Sequence, residues 1–81
     1  MKVRVLAFAQ AREALGSGQF EIDLPEGSRV SDALAALERR AVALTPLNPH
    51  LAIAVDETLA KRDEALHDGC EIALLPPVSG G

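Results

Sequence analysis

Few side chains in this sequence are placed to do chemistry, and the group best placed is not a side chain. The sequence closes on Pro76-Pro77-Val78-Ser79-Gly80-Gly81. Two successive glycines carry no Cβ. They offer only main chain and, at Gly81, an α-carboxylate that can lie extended in a slot too narrow for any side chain. The two prolines cannot continue a hydrogen-bonded ladder, so they release the chain from the strand before them. Six extended residues reach at most about 20 Å. The expectation is that the Gly81 carboxylate is the functional group and that everything upstream is a base holding it out.

The competing side chains are weak candidates. Cys70 is the sole cysteine, so it forms neither an internal disulfide nor a cysteine-based zinc site. Nothing near it in sequence lowers its pKa, and it reads as a small strand-side residue. His50 and His67 each sit beside turn residues and read as surface loop histidines. Asp56-Glu57 and Asp63-Glu64 suggest a solvated charged hairpin rather than a metal site or an acid/base pair. Arg39-Arg40 are accounted for by solvation and dipole pairing at a helix end. No metal ligand set and no resident cofactor are expected.

The elements that must position the tail are legible from periodicity. Lys2–Ala9 alternates, with Val3, Val5 and Ala7 on one face; Leu6 and Phe8 make its later half apolar on both sides. Gln10–Leu15 suits one or two helical turns, with Gly16 as the residue after the helix. Gln19–Leu24 alternates cleanly, Phe20, Ile22 and Leu24 inward, and Pro25-Glu26-Gly27 ends it. Val30, Leu34, Leu37, Ala41 and Leu44 form one stripe of a helix of about four turns, with Ser28 or Ser31 as N-cap. Leu51–Val55 reads as a buried strand, Thr58–Ala60 as a short edge strand, and Glu71–Leu75 as the last strand. Leu66 anchors the polar stretch between them.

At 81 residues the chain is one small domain, and 48% hydrophobic with 25% charged residues makes it globular rather than disordered. The net charge is −4 and the basic residues are scattered, which argues against nucleic acid as a partner. No apolar run approaches the roughly 20 residues of a membrane span, and Met1–Val5 has no signal-peptide pattern; a cytoplasmic, non-membrane protein is expected. One amphipathic helix over a mixed sheet of four or five strands, with the first and last strands most apolar and therefore central, is an α+β β-grasp, the ubiquitin-like fold. The expected organisation is a β-grasp domain over residues 1–75 and an extended, flexible tail over 76–81.

Over its whole length the sequence resembles the small, sulfur-carrying subunits of molybdopterin synthases, members of the ubiquitin-like sulfur carriers. The resemblance rests on Val3–Gly16, on Ala54-Val55-Asp56-Glu57-Thr58-Leu59, on Leu66-His67-Asp68-Gly69-Cys70-Glu71-Ile72, and most specifically on Pro76-Pro77-Val78-x-Gly80-Gly81. Leu74 and Leu75 stand where some members carry aromatics, and Cys70 where the family has an acidic residue.

The resemblance implies a cycle. An E1-like adenylyltransferase spends ATP to adenylate Gly81, because a bare carboxylate would have to expel oxide. A sulfur donor such as a cysteine desulfurase or rhodanese converts the acyl-adenylate to a thiocarboxylate. The carrier then docks on the large synthase subunit, in a heterotetramer, and passes sulfur to a cyclic pyranopterin monophosphate to build the dithiolene that holds molybdenum. On this reading the chain is not an enzyme by itself. Pro76, Pro77, Val78, Ser79 and Gly80 insert into the partners, and Leu74 and Leu75 contact them. Alternatives are a carrier for another pathway, of the thiamine or tRNA-thiolation type, a ubiquitin-like protein modifier, and a binding module with an inert tail.

Overall fold

The computed structural model describes residues 1–77. Its centre is a parallel pair made by the two ends of the chain. Strand β1 (Lys2–Ala7) and strand β5 (Glu71–Leu75) lie side by side, with Val5 opposite Ile72 and Ala7 opposite Leu74. Strand β2 (Gln19–Asp23) pairs antiparallel with β1. On the other side β3 (Ala52–Val55) pairs antiparallel with β5, and the two-residue β4 (Thr58–Leu59) closes the edge. The order is β2-β1-β5-β3-β4, a five-stranded mixed sheet. This is the β-grasp, and the most apolar strands occupy its interior as their sequences require.

The short helix α1 (Ala9–Leu15) follows β1 and stops at Gly16, whose φ of 75° is the left-handed conformation that glycine adopts without steric cost. The main helix α2 spans Val30–Arg40 and buries Val30, Ala33, Leu34 and Leu37 against the sheet. It is eleven residues, three turns rather than four. Ala41 turns extended, and a 3₁₀ turn over Val42–Leu44 brings Leu44 back into the core, fully buried. The stripe was legible; the break was not, because no glycine or proline marks Ala41 and tertiary packing overrides local propensity there.

Neither Ser28 nor Ser31 caps α2. The N-cap is Arg29, whose N–H donates to the Asp32 carboxylate at 2.8 Å, while the Ser28 hydroxyl donates to the Pro25 carbonyl at 2.8 Å. A carboxylate in the first turn satisfies an otherwise orphaned donor and meets the positive end of the helix. At the other end, Asn48 donates to the Glu38 carboxylate at 2.6 Å, and hydrogen bonds from Thr45 and Asn48 hold the Glu38 carboxyl below its ordinary range. This ties α2 to the loop before β3. Arg62 reaches into the same loop, donating to the carbonyl of Asn48 and, at 3.1 Å, to that of Leu51.

The core is aliphatic. Val3, Val5, Leu34, Leu37, Ile53, Ile72 and Leu74 fill it, with Leu66 and Cys70 at its edge. Phe20 is half-buried, its ring covered by the Arg40 guanidinium at 4.4 Å from the centroid. Among the described residues no buried side-chain nitrogen or oxygen lacks a hydrogen-bond partner, as a well-formed core requires.

Candidate functional site at the root of the tail

β5 is paired on both sides until Leu75, where Ala52 of β3 is its partner. Pro76 and Pro77 then follow, both exposed. A proline nitrogen has no hydrogen to donate, so neither residue can extend the ladder to a neighbouring strand. The tail therefore leaves from the end of the central strand. Val78, Ser79, Gly80 and Gly81 lie outside the described residues.

The register divides the side chains of this strand sharply. Ile72 and Leu74 point to α2 and are fully buried. Glu71, Ala73 and Leu75 point to the opposite, helix-free face and are half-buried. Leu74 is thus a core residue, and the expectation that it contacts a partner is corrected. Successive side chains of a strand alternate faces, so only one of two neighbouring leucines can be presented outward. Leu75 keeps that position.

Following the outward face across the sheet gives a continuous apolar row. Leu6 of β1 faces Ala73 of β5, Ala73 faces Ala54 of β3, and Ala54 faces Leu59 of β4. A second, shorter row is formed by Leu75 and Ala52. Phe8 extends it: its backbone is still extended, with φ −124° and ψ 153°, and its N–H donates to the Leu74 carbonyl at 3.2 Å. Phe8 and Leu59 are among the large apolar residues the fold leaves in solvent, 45% and 69% exposed. Phe8 thus ends outside β1 and uncovered, not in the doubly buried strand end that the sequence suggests.

The other half of this face is polar. Lys2 pairs with Asp23 at 3.6 Å and Arg4 with Glu71 at 3.7 Å. The charges neutralise one another across the strands and sit at the end of the sheet away from the tail. The face is therefore split: apolar beside the tail root, charged beyond it. A small domain has little reason to leave Phe8 and Leu59 exposed beside a half-buried Leu75 unless something covers them. The sequence contained the signal, in the apolar residues at outward positions of alternating strands, but only the register brings Leu6, Ala73, Ala54 and Leu59 into line.

The remaining candidates are structural. Cys70 is buried in the core immediately before β5. His67 is exposed and bonded to Asp56 at 2.9 Å; the second oxygen of Asp56 accepts the Glu71 N–H at 2.9 Å. Asp56 and Glu57 both have positive φ, 48° and 69°, as the tight turn between β3 and β4 demands. Asp56 thus sits in the expected turn of the charged hairpin and also locks the start of β5, a contact not read from sequence. His50 is exposed at the end of a 3₁₀ turn. No group of three or more His, Cys, Asp or Glu able to hold a metal ion occurs among the described residues. No helix among them is long and apolar enough to cross a membrane.

A β-grasp domain whose central strand runs out into a proline-led diglycine segment, beside a bare apolar sheet face, defines a ubiquitin-like protein. The chain belongs to the ThiS family, whose model matches residues 5–81. It is 40% identical over 82 residues to the molybdopterin synthase sulfur carrier subunit of Escherichia coli K12, covering 98% of this chain and 99% of that protein. Small archaeal modifier protein SAMP1 of Haloferax volcanii superposes with a TM-score of 0.88 at 31% identity, over the whole of both chains. A similar chain, with a TM-score of 0.66, 29% identity and full coverage of both, occurs in a protein–protein complex of subunits 1 and 2 of the molybdopterin-converting factor from Helicobacter pylori.

Proposed function

We propose that this chain is the sulfur carrier subunit of a molybdopterin synthase, working in the cytoplasm through the carboxylate of Gly81. The observation that carries the reading is the ending Pro76-Pro77-Val78-Ser79-Gly80-Gly81, set at the end of the central strand. The full-length likeness to a named sulfur carrier subunit supports it.

The chemistry follows from what a diglycine end offers. An activating enzyme forms a mixed anhydride between Gly81 and AMP, with release of pyrophosphate from ATP. The outer sulfur of a donor persulfide attacks the Gly81 carbonyl carbon and AMP leaves with the electron pair; a thiol then reduces the resulting acyl disulfide and leaves a thiocarboxylate. The large subunit then receives the loaded tail, and its own side chains catalyse transfer of sulfur to the pterin precursor. The body contributes orientation. Leu75, Phe8, Leu59 and the row from Leu6 to Leu59 form the docking face. Pro76 and Pro77 stiffen the start of the tail, so less entropy is lost when it inserts. The likeness to subunit 1 of the Helicobacter pylori complex supports a large-subunit partner.

Intact mass spectrometry tests the carrier function. With activating enzyme, ATP and a sulfur donor, the chain gains the difference between one sulfur and one oxygen, localised to Gly81. Combined with the large subunit, the loaded chain then supplies sulfur to the precursor. A chain that stays at its original mass while pyrophosphate is released is not a sulfur carrier.

A second reading, a protein modifier joined to lysines of other proteins, is favoured by the likeness to SAMP1. The two readings share the adenylation step and separate at the next one. A modifier gives a ladder of heavier adducts in cells, dependent on Gly81, whereas a carrier gives the thiocarboxylate and none.

A further inference from the structure

The sheet ends on one side in the two-residue β4, which offers little to a further strand, and on the other in the five-residue β2. Which main-chain groups of β2 face outward follows from its ladder with β1. Met1 and Leu24 exchange both main-chain hydrogen bonds, at 2.7 and 2.9 Å, and the Ala7 N–H donates to the Gly18 carbonyl at 2.9 Å. Hydrogen-bonded and non-hydrogen-bonded pairs alternate along an antiparallel ladder. Phe20 and Ile22 therefore turn their N–H and C=O toward β1, while Gln19, Glu21 and Asp23 turn theirs away from it. Ser17 occupies the first of these: its hydroxyl donates to the Gln19 carbonyl at 3.1 Å and accepts the Gln19 N–H at 3.4 Å. The N–H and C=O of Glu21 and of Asp23 have no hydrogen-bond partner among the described residues. The register with β1 runs without a bulge, and β2 holds no proline or lysine, the usual protections of an exposed strand edge.

The side chains say what this edge would take. Glu21 and Asp23 are exposed on the helix-free face, opposite Arg4 and Lys2 of β1. Asp23 pairs with Lys2, but Arg4 turns to Glu71, so Glu21 is in no ion pair among the described residues. Phe20 and Ile22 point to the other face, half-buried at the margin of the core, with the Arg40 guanidinium over the Phe20 ring. A second copy of the chain fits poorly. Antiparallel pairing of β2 on itself brings Glu21 opposite Glu21 or Asp23, and like charges directly opposite destabilise a sheet. A strand that does fit is already present on the inner edge, where Lys2-Val3-Arg4 opposes Asp23-Ile22-Glu21.

We propose that the outer edge of β2 docks an extended segment of another protein, added antiparallel as a further strand and carrying a basic-apolar-basic sequence. Its main chain bonds to Glu21 and Asp23, its two basic residues lie opposite those acids, and the apolar residue between them packs beside Ile22. Main-chain bonds supply the affinity of such an added strand, and alternate side chains select the partner. Arg40 on the helix side selects against the same segment slipped by one residue, since a slip turns its basic residues to that face. β2 stands two strand spacings, about 10 Å, from β5. A strand added there leaves the tail root uncovered, and the proposal holds whether or not Gly81 carries sulfur.

The probe is a peptide repeating Met1–Leu6, acetylated and amidated at its ends, titrated into the isotope-labelled full chain and read by NMR amide shifts and hydrogen exchange. Saturable binding is expected, in which exchange of the Glu21 and Asp23 amides slows about tenfold or more. The amides of Phe20 and Ile22, already bonded to β1, keep their rates. A second peptide with glutamates in place of its lysine and arginine binds about fivefold or more weakly. Glu21→Lys, an exposed substitution whose fold is checked in the same spectra, reverses the preference between the two peptides. Unchanged exchange at Glu21 and Asp23 up to millimolar peptide, equal binding of the two peptides, or an unreversed preference in Glu21→Lys each overturns the proposal. So does binding at Phe8 and Leu59 instead, displacement of β1 seen as faster exchange at Phe20 and Ile22, or sedimentation of the free chain as a dimer joined through β2.

Discussion

Leu74 and Leu75 are neighbours in sequence and belong to opposite faces of the sheet: Leu74 is fully buried under α2, and Leu75 stands half-buried on the helix-free face beside the tail. One residue step thus separates a core residue from one left at the surface of the sheet. Leu74→Ala removes a packed side chain from the core and should cost about 2–5 kcal/mol of folding stability, read as a fall in the urea midpoint at constant slope. Leu75→Asp should leave the midpoint much closer to that of the parent and weaken binding of the large subunit about tenfold or more, the scale of one good interface anchor. Equal binding by Leu75→Asp and the parent would remove Leu75 from the interface.

The same face makes a prediction for residues far from Leu75 in sequence. Leu59 is mostly exposed and Phe8 half exposed, so truncating them takes little from the core. Leu59→Asp should change folding stability by no more than about 0.5 kcal/mol. Phe8→Ala and Leu59→Asp should each weaken binding of the large subunit, by about 1 kcal/mol or more if they lie near the centre of the contact. Titration calorimetry reads both. If neither variant alters the affinity while Leu75→Asp does, the contact is confined to the tail root and does not extend along the row from Leu6 to Leu59.

The folded architecture was largely legible because its signals are local and periodic. The alternation in Val3-Arg4-Val5, the turn chemistry of Gly16, and the stripe Val30, Leu34, Leu37 each specify an element without help from the rest of the chain. What was not legible depends on pairing. Nothing near Ala41 in sequence announces that α2 ends there, since the break serves the burial of Leu44. The assignment of both Leu74 and Leu75 to a partner surface treated two apolar neighbours as one patch, and only the pairing of Leu74 with Ile53 and Ala7 fixes which one is inside. Likewise Leu6, Ala73, Ala54 and Leu59 come from four strands, and no window of sequence holds them together. The tail is read from the sequence on other grounds. Its information lies in residue types, two prolines and two glycines, and not in what packs against them.

Glu38 links stability to pH. Hydrogen bonds from Thr45 and Asn48 favour its charged form and lower its folded-state pKa below the ordinary glutamate range. A carboxyl with a depressed folded pKa contributes stability that is present above its unfolded value and is lost as pH falls through the folded one. Glu38→Gln should therefore be less stable than the parent at neutral pH, and the difference should shrink as pH drops below about 4.5. Thermal unfolding of the two proteins from neutral pH down to about pH 3 measures this. A gap that stays constant or widens on acidification would show that the Glu38 charge does not tie α2 to the 45–48 loop.

The sharpest prediction concerns a residue that the chain does not have. If Gly81 is the acyl donor, its position along the tail is set by the depth of the slots on the activating enzyme and the large subunit. One alanine appended after Gly81 moves the carboxylate outward by about 3.5 Å and places a Cβ where glycine passes. It follows two exposed prolines, so folding stability should stay within about 0.5 kcal/mol of the parent. The extended chain should still bind the large subunit through Leu75, Phe8 and Leu59, because that face is unchanged. It should release no pyrophosphate from ATP with the activating enzyme and should deliver no sulfur. A matched pair of assays, binding retained and loading lost, is the signature of a body that docks and an end that reacts. Sulfur delivery by the extended chain at the parent's rate would mean that the reacting group is not the terminal carboxylate.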